Sequence, residues 1–128
     1  MTNIATISKD FEFSASHRLN GLPKSHPCSN LHGHNYTIRV ILEGEVIDPG
    51  FVIDYRRLGV FKTWLDGELD HRHLNDVMPG NPTAEHMAAL FADKIRGLLA
   101  PEEISRLLTI SVAVSETPKT WATVKVTL

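Results

Sequence analysis

The chain has 128 residues, of which 42% are hydrophobic, and its 13 basic and 15 acidic residues give a formal net charge of −2. This length and composition predict a single domain over residues 1–128 with one hydrophobic core. The charge, which includes no basic run, argues against nucleic acid or an anionic membrane as partner, and no segment has the roughly 18 apolar residues of a membrane span. A single cysteine excludes an internal disulfide, so we expect a cytoplasmic protein.

Two long strands are predicted in the first third of the chain. The first runs from about Ile4 to Ser16 and the second from about His32 to Glu43, and a loop rich in Gly, Pro and Ser from Asn20 to Asn30 separates them. Both strands alternate apolar and polar residues, which is typical of strands with one buried face. We expect the two strands to pair in antiparallel fashion.

The centre of the chain has a helical period instead. A first amphipathic helix is indicated by the spacing of Leu58, Phe61, Leu65 and Leu69. A second helix is predicted to begin after Pro82 with Thr83 as its N-cap. The apolar residues that it is expected to bury are Met87, Leu90, Phe91, Ile95 and Leu98.

Strand character returns in the last quarter of the chain. Ile110, Val112 and Val114 share one face of a predicted strand, and the closing segment WATVKVTL predicts another. The predicted order is therefore ββααββ, an α+β fold with a four-stranded antiparallel sheet and two helices on one face. Its outer strands would be open edges, so we expect copies of the chain to associate through the sheet as a homo-oligomer.

Three histidines form a candidate metal site. His32 and His34 are two residues apart and therefore lie on one face of a strand, and His17 ends the apolar face of the preceding strand. Three protein ligands with one open position are typical of catalytic zinc, whereas structural zinc usually has four ligands that include several cysteines. The HGH segment alone would equally suit a polar turn.

The other candidates for chemistry are a thiol and an acid–base pair. Cys28 precedes the histidine pair in a polar loop, where a metal would favour its thiolate, although free cysteines are often buried simply as small apolar residues. Asp70 precedes His71 after the first helix, an arrangement that suits proton transfer. The same two residues would also suit a solvated helix C-terminus.

Glu116 falls on the apolar face of the strand that carries Val114, so its carboxylate needs a partner. That partner is either a lysine or arginine of the fold or a ligand that offers N–H donors. For Glu85, near the start of the second helix, the helix dipole provides a sufficient structural reason.

Six short motifs together resemble one known family. FSASHRL, CSNLHGHNY, FVIDYRRL, LDHRHLN, NPTAEHMA and VAVSETP occur in the order and spacing of the 6-pyruvoyltetrahydropterin synthase family, across nearly the whole chain. Within that family the chain is most similar to the bacterial 6-carboxytetrahydropterin synthase branch, because Cys28 and His32 stand in a short CxxxHGH segment. The resemblance implies the tunnelling fold (T-fold), in which trimers close a barrel and two trimers form a hexamer with active sites between subunits.

The resemblance also implies roles for individual residues. His17, His32 and His34 would bind Zn²⁺, Cys28 would be the catalytic thiol, Asp70 and His71 would transfer protons, and Glu116 would anchor the pterin ring of a small-molecule substrate.

The activity implied is that of a zinc-dependent lyase. It would convert 7,8-dihydroneopterin triphosphate to 6-carboxy-5,6,7,8-tetrahydropterin, acetaldehyde and triphosphate, on the route to queuosine and related deazapurines. Elimination of triphosphate to give the pyruvoyl product and a non-catalytic zinc- or pterin-binding module remain alternatives. The segment TPKTWATV, which follows Glu116, differs from the enteric members of the carboxy branch.

Overall fold

A five-stranded sheet forms the centre of the computed structural model, which describes residues 3–128. The strands are β1 (Ile4–His17), β2 (His32–Glu45), β3 (Arg72–His73), β4 (Leu107–Ser115) and β5 (Ala122–Thr127). Their order across the sheet is β3-β1-β2-β4-β5. All neighbours are antiparallel except β3, which pairs in parallel with the end of β1.

The pairing of β1 with β2 confirms the predicted antiparallel pair. It is continuous from Ile4 opposite Glu45 to His17 opposite His32. Because side chains alternate along a strand, this register puts Phe13 and Tyr36 on the same face, where their rings stack at 4.9 Å between centroids. The apolar alternation seen in the sequence therefore becomes one side of the core.

Helices cover that apolar face. They are α1 (Gly59–Glu68), α2 (Leu74–Val77), α3 (Ala84–Leu98) and α4 (Pro101–Ile104). α3 packs across β4 and β5, and α1 packs against β1 and α3. Edge-to-face contacts of Phe61 with Phe11 and Phe91 join strand and helices, with centroids 5.4 and 5.7 Å apart. None of these helices, within residues 3–128, is long and apolar enough to cross a membrane.

The predicted helix signals are confirmed with one correction. The Thr83 hydroxyl accepts a hydrogen bond from the backbone N–H of His86 at 3.1 Å, which makes Thr83 the N-cap of α3. All four members of the first apolar stripe are buried, from Leu58 to Leu69. Leu90 and Leu98 are only partly buried because they lie at the margin of the face that α3 turns to the sheet.

The sheet has one strand more than the sequence predicted, and two single-turn helices are added to the two expected ones. β3 contains only two residues, which is too short to show any periodicity. The backbone N–H of His71 donates to the carbonyl of Ser14 at 2.6 Å, and this contact attaches the segment to the edge of β1. The α+β architecture is unchanged by the addition.

Candidate metal centre and active site

The paired ends of β1 and β2 bring the three predicted histidines together. His17 and His32 are direct cross-strand partners, and His34 follows two residues later on the same face. The Nε2 atoms of His17 and His32 lie 2.9 Å apart, and one ring nitrogen of each of the three histidines lies within 4.8 Å of the other two. The group could therefore hold a metal ion.

Backbone carbonyls fix the protonation of two of these rings. Nδ1 of His17 lies 2.8 Å from the carbonyl oxygen of Pro82, and Nδ1 of His32 lies 2.7 Å from that of Asn30. Since a carbonyl oxygen only accepts hydrogen bonds, each Nδ1 carries the proton and each neutral ring turns an unprotonated Nε2 toward the other. Such contacts are typical of metal-binding histidines.

Burial keeps the cluster neutral. The side chain of His17 is fully buried, and this burial lowers its pKa to about 4, although the Pro82 carbonyl opposes the shift. Burial also lowers the pKa of His34, against the opposing charge of Glu116. Nearby, burial raises the pKa of the Tyr36 phenol, whose oxygen lies 3.2 Å from Nδ1 of His17.

One further observation fits a cation at this point. Nε2 of His34 is buried and has no hydrogen-bond partner. A buried ring nitrogen without a partner is costly, and so are two lone pairs facing each other at 2.9 Å. A metal ion between the three rings removes both costs, so the residues present fit the group.

Glu116 follows the end of β4 and lies beside the histidines. Its Oε2 is 3.8 Å from Nε2 of His34, and its side chain is 24% exposed. In residues 3–128, no lysine or arginine forms an ion pair with Glu116. The sequence left two partners open for Glu116, a basic residue of the fold or a ligand with N–H donors. The structure favours the ligand. A cavity of about 550 Å³ lies against this carboxylate.

Cys28 lies in a short 3-10 turn, Pro27–Ser29, just before β2. Its carbonyl accepts a hydrogen bond from the backbone N–H of Leu19 at 2.8 Å, which ties the turn to the chain two residues beyond His17. Its own N–H donates to Nδ1 of His26 at 3.1 Å. The thiol is half-buried, so the reading of Cys28 as a core residue is not favoured.

Asp70 and His71 form a hydrogen-bonded pair at the outer edge of β1. One Asp70 oxygen accepts from the backbone N–H of Ser14 at 2.9 Å, and the other lies 3.0 Å from Nδ1 of His71. The Ser14 contact, followed by the His71 contact, lowers the pKa of Asp70. His71 has a positive φ of 59° and an 81% exposed side chain.

The acid–base pair lies beside strand side chains that point away from the histidine cluster. His71 borders a cavity of about 440 Å³ with Ser14, Ser16 and Asn35, and the same cavity also reaches Ala15 and His34. The side chains of Ser14, Ser16 and Asn35 alternate with those of the histidine face and therefore point to the opposite side of the sheet. The sequence predicted the pair itself but not this separation.

Some members of the site carry no signal in the sequence. The Pro82 and Asn30 carbonyls act through the backbone, so residue type does not reveal them. Tyr36 was predicted only as an apolar strand residue, and its position two residues after His34 was the available sign that its hydroxyl would reach the cluster.

Comparisons with known proteins agree with this geometry. The profile of the family described as 6-pyruvoyl tetrahydropterin synthase matches residues 6–126. The structure of the Caenorhabditis elegans 6-pyruvoyl tetrahydropterin synthase is similar to this one with a TM-score of 0.81 and 29% identity, covering 98% of this chain and 97% of that one.

Two curated relatives differ in the activity they are named for. A Bacillus subtilis 6-carboxy-5,6,7,8-tetrahydropterin synthase is 30% identical over 123 residues, covering 90% of this chain and 81% of the relative. A Pyrococcus furiosus dihydroneopterin monophosphate aldolase is 40% identical over 87 residues, covering 66% of this chain and 68% of the relative.

The sheet, its helices on one face and the site between strand ends define a tunnelling-fold protein. The chain belongs to the 6-pyruvoyl tetrahydropterin synthase family. It is accordingly a pterin-metabolising enzyme of the lyase type.

Proposed function

We propose that this enzyme converts 7,8-dihydroneopterin triphosphate and water to 6-carboxy-5,6,7,8-tetrahydropterin, acetaldehyde and triphosphate, as a zinc-dependent step of queuosine and related deazapurine biosynthesis. The observation that carries the proposal is the convergence of ring nitrogens from three histidines beside a carboxylate that has no lysine or arginine partner within residues 3–128. The name of the Bacillus subtilis relative supports the same reaction.

Zn²⁺ is the metal that suits this ligand set best. Three imidazoles leave one of its four positions open, and two nitrogens of a tetrahedral zinc site are about 3.3 Å apart, close to the separation of the His17 and His32 nitrogens. When bound, zinc supplies Lewis acidity that polarises a substrate oxygen and acidifies neighbouring C–H bonds. His17 and His32 are oriented for it by the Pro82 and Asn30 carbonyls.

Glu116 is the proposed anchor of the pterin ring. A pterin offers adjacent N–H donors on one edge, and an ionised carboxylate accepts two of them at once. Because Oε2 of Glu116 lies 3.8 Å from Nε2 of His34, this carboxylate would hold the ring edge next to the metal site. The adjoining cavity of about 550 Å³ lies in the range usual for small-molecule sites.

Cys28, Asp70 and His71 are the proposed proton carriers. A backbone hydrogen bond from Leu19 ties the Cys28 turn to the chain just beyond His17. This position near the histidines supports a role for the thiol at the substrate side chain. Asp70 holds the imidazole of His71 through Nδ1 and so leaves Nε2 free to take or give a proton. The exposure of His71 supports an active site that a second copy of the chain completes. The assembly that we propose is a cytoplasmic homohexamer.

The Pyrococcus relative favours a second candidate. Its name supports an aldol cleavage of dihydroneopterin monophosphate, which would use the same metal site and ring anchor. Elimination of triphosphate without loss of side-chain carbon, to give the pyruvoyl product, is the remaining alternative.

Product analysis by mass spectrometry separates these reactions. The zinc-loaded protein would be incubated with 7,8-dihydroneopterin triphosphate and, in parallel, with the monophosphate, and Cys28→Ala would serve as control. We expect 6-carboxytetrahydropterin and acetaldehyde from the triphosphate, and very little from the variant. Pyruvoyltetrahydropterin, or turnover of the monophosphate alone, would overturn the proposal in favour of the corresponding alternative.

A further inference from the structure

A tryptophan lines the cavity that adjoins Glu116. Trp121 lies at the end of the segment that joins β4 to β5, and its side chain is 43% exposed. Thr83 and Glu85 at the start of α3 line the same cavity from the other side. Glu116, which has no lysine or arginine partner within residues 3–128, and Trp121 therefore border the same cavity.

The indole ring is held from the polar face of the sheet. The Arg39 guanidinium lies over it at 4.9 Å from the ring centroid. Arg39 is itself fixed by Asp10, its cross-strand partner, through two hydrogen bonds of 2.8 and 3.0 Å. A bidentate pair of this kind sets the plane of the guanidinium, and a cation over an aromatic face is attractive.

The turn before Trp121 is also ordered by its own side chains. The Ser115 hydroxyl donates to the carbonyl of Thr117, and the backbone N–H of Thr120 donates to the same carbonyl at 3.2 Å. The hydroxyls of Thr117 and Thr120 lie 3.2 Å apart. The backbone that carries Trp121 is thus ordered where it borders the cavity, so the indole loses little conformational freedom when a ligand binds.

We infer that Trp121 is the stacking wall of the ligand pocket: the flat pterin ring lies against the indole while Glu116 accepts hydrogen bonds from its edge. Asp10 and Arg39 act as positioning residues that hold the indole at the cavity. This inference deepens the proposed function and rests on its pterin substrate. The ligand class that suits the pair is a planar heteroaromatic ring with N–H donors on one edge.

Ring stacking on an aromatic side chain contributes to binding rather than to the chemical step. Loss of one such contact typically weakens the binding of a nucleobase, a ring of comparable size, by about 10-fold or more. We expect Trp121→Leu to raise Kd and KM about 10-fold while kcat changes less than about 2-fold, since the stacked contact is equal in ground and transition states. Trp121→Phe keeps an aromatic face and should retain most of the affinity.

The chain offers a matched control for these variants. Trp64, its second tryptophan, packs on Phe61 and Phe91 at 5.9 Å and does not line the cavity. Trp64→Phe should leave pterin affinity unchanged. Arg39→Leu, which removes the support of the indole, should weaken binding about 3-fold, and Arg39→Lys, which keeps a cation over the ring, should recover part of that loss.

The measurement is calorimetric titration of the zinc-loaded proteins with 7,8-dihydroneopterin, which needs no turnover, together with KM and kcat and the oligomer size of each variant. The inference is overturned if Trp121→Leu binds as tightly as the unmodified protein, or if the Phe and Leu variants weaken binding equally. It is also overturned if Trp121→Leu loses affinity only in proportion to a loss of assembly, since Trp121 would then be a contact between copies. A protein that binds the pterin through Trp121 but forms a different product would contradict the proposed reaction alone.

Discussion

The histidine cluster and the Asp70–His71 pair are both attached to the last residues of β1, yet they are built in opposite ways. His17 is fully buried, and its ring is held by a backbone carbonyl. The side chain of His71 is 81% exposed, its imidazole contacts the Asp70 carboxylate, and its backbone has a positive φ. The three histidines that could hold a metal ion thus come together within one chain, whereas the imidazole of the pair is exposed.

The difference in burial matches the two functions proposed for these groups, metal binding by the histidines and proton transfer by the Asp70–His71 pair. A site that must exclude competing ligands benefits from burial, which also keeps its imidazoles neutral. A group that must exchange protons benefits from access to solvent or to a second copy. Variants of the two regions should therefore differ in what they lose.

The largest effect is expected from removal of a proposed metal ligand. His32→Ala should abolish zinc binding and lower activity by at least about 10³-fold, because the polarisation of the substrate is lost. Zinc content by elemental analysis and turnover would be measured together. His86→Ala, which removes an exposed histidine outside the cluster, is the control and should keep both. Full activity of zinc-free His32→Ala would contradict the proposed role of the cluster.

Loss of the thiol should separate chemistry from metal binding. Cys28→Ala should lower kcat by about 10²–10⁴-fold, the usual contribution of a positioned proton carrier, while the zinc content stays normal. Cys28→Ser keeps the shape of the side chain but replaces the thiol with a far weaker acid. We expect its kcat to be nearly as low as that of Cys28→Ala. Loss of zinc in either variant would mean that the thiol is a ligand instead.

Changes in the Asp70–His71 pair should lower kcat by about 10²-fold without loss of metal. Asp70→Asn keeps an oxygen acceptor for the Ser14 N–H, so its effect isolates the carboxylate charge. His71→Ala should lower kcat similarly, and urea denaturation should show that both variants remain folded, with Asp70→Asn less stable by the contribution of the ionised carboxylate. Two variants with normal kcat would favour the reading of a solvated helix end.

Mixing two inactive variants tests whether the pair acts on another copy. Cys28→Ala and His71→Ala chains, unfolded and refolded together, would form some sites with both groups intact if the pair is contributed across subunits. Partial recovery of activity is then expected. No recovery in a mixed oligomer would mean that each chain uses its own pair.

A last effect, on stability rather than on activity, is a dependence on pH in the metal-free protein. Between the ordinary histidine pKa of about 6.5 and the lowered pKa of about 4, the unfolded chain binds a proton at residue 17 that the folded chain does not. Stability should therefore fall as pH drops from about 6.5 to 4, by roughly 3 kcal/mol in total, or about 10²-fold in the folding equilibrium. Urea denaturation at several pH values would measure it.

Asp70 should act in a different pH window. Its pKa is lowered in the folded protein, so its stabilising contribution is present at neutral pH and is lost only as the pH falls below its ordinary value of 3.8. Asp70→Asn should remove the loss of stability expected below pH 3.8, and it should not change the loss expected between pH 6.5 and 4. A flat stability curve above pH 4 would contradict the buried neutral state of His17.

The sequence was sufficient for the parts of the molecule that repeat a period. The alternation in β1 and β2 predicted their pairing and the common face of His17, His32 and His34, and the helical stripe around Phe61 predicted α1. These elements bury one face over many residues, so pattern and structure agree.

Short and non-local features were not predictable in this way. β3 has two residues and is held by a contact with Ser14, more than fifty positions away in the chain. The contact of Arg39 with Trp121 depends on how β4 and β5 return beside β2, which neither residue reveals alone. Long-range geometry of this kind is determined by the assembled sheet.

His17 and His32 are opposite each other at the last position of a fourteen-residue antiparallel ladder. A slip of one residue in that ladder would turn every side chain of one strand to the opposite face and carry one imidazole away from the other. Metal uptake during refolding would consequently report strand alignment: only chains that have paired in the native register would capture the ion. Because the ion would bind only the native register, it would stabilise that register relative to misaligned ones. The centre proposed for catalysis would then also favour correct strand pairing.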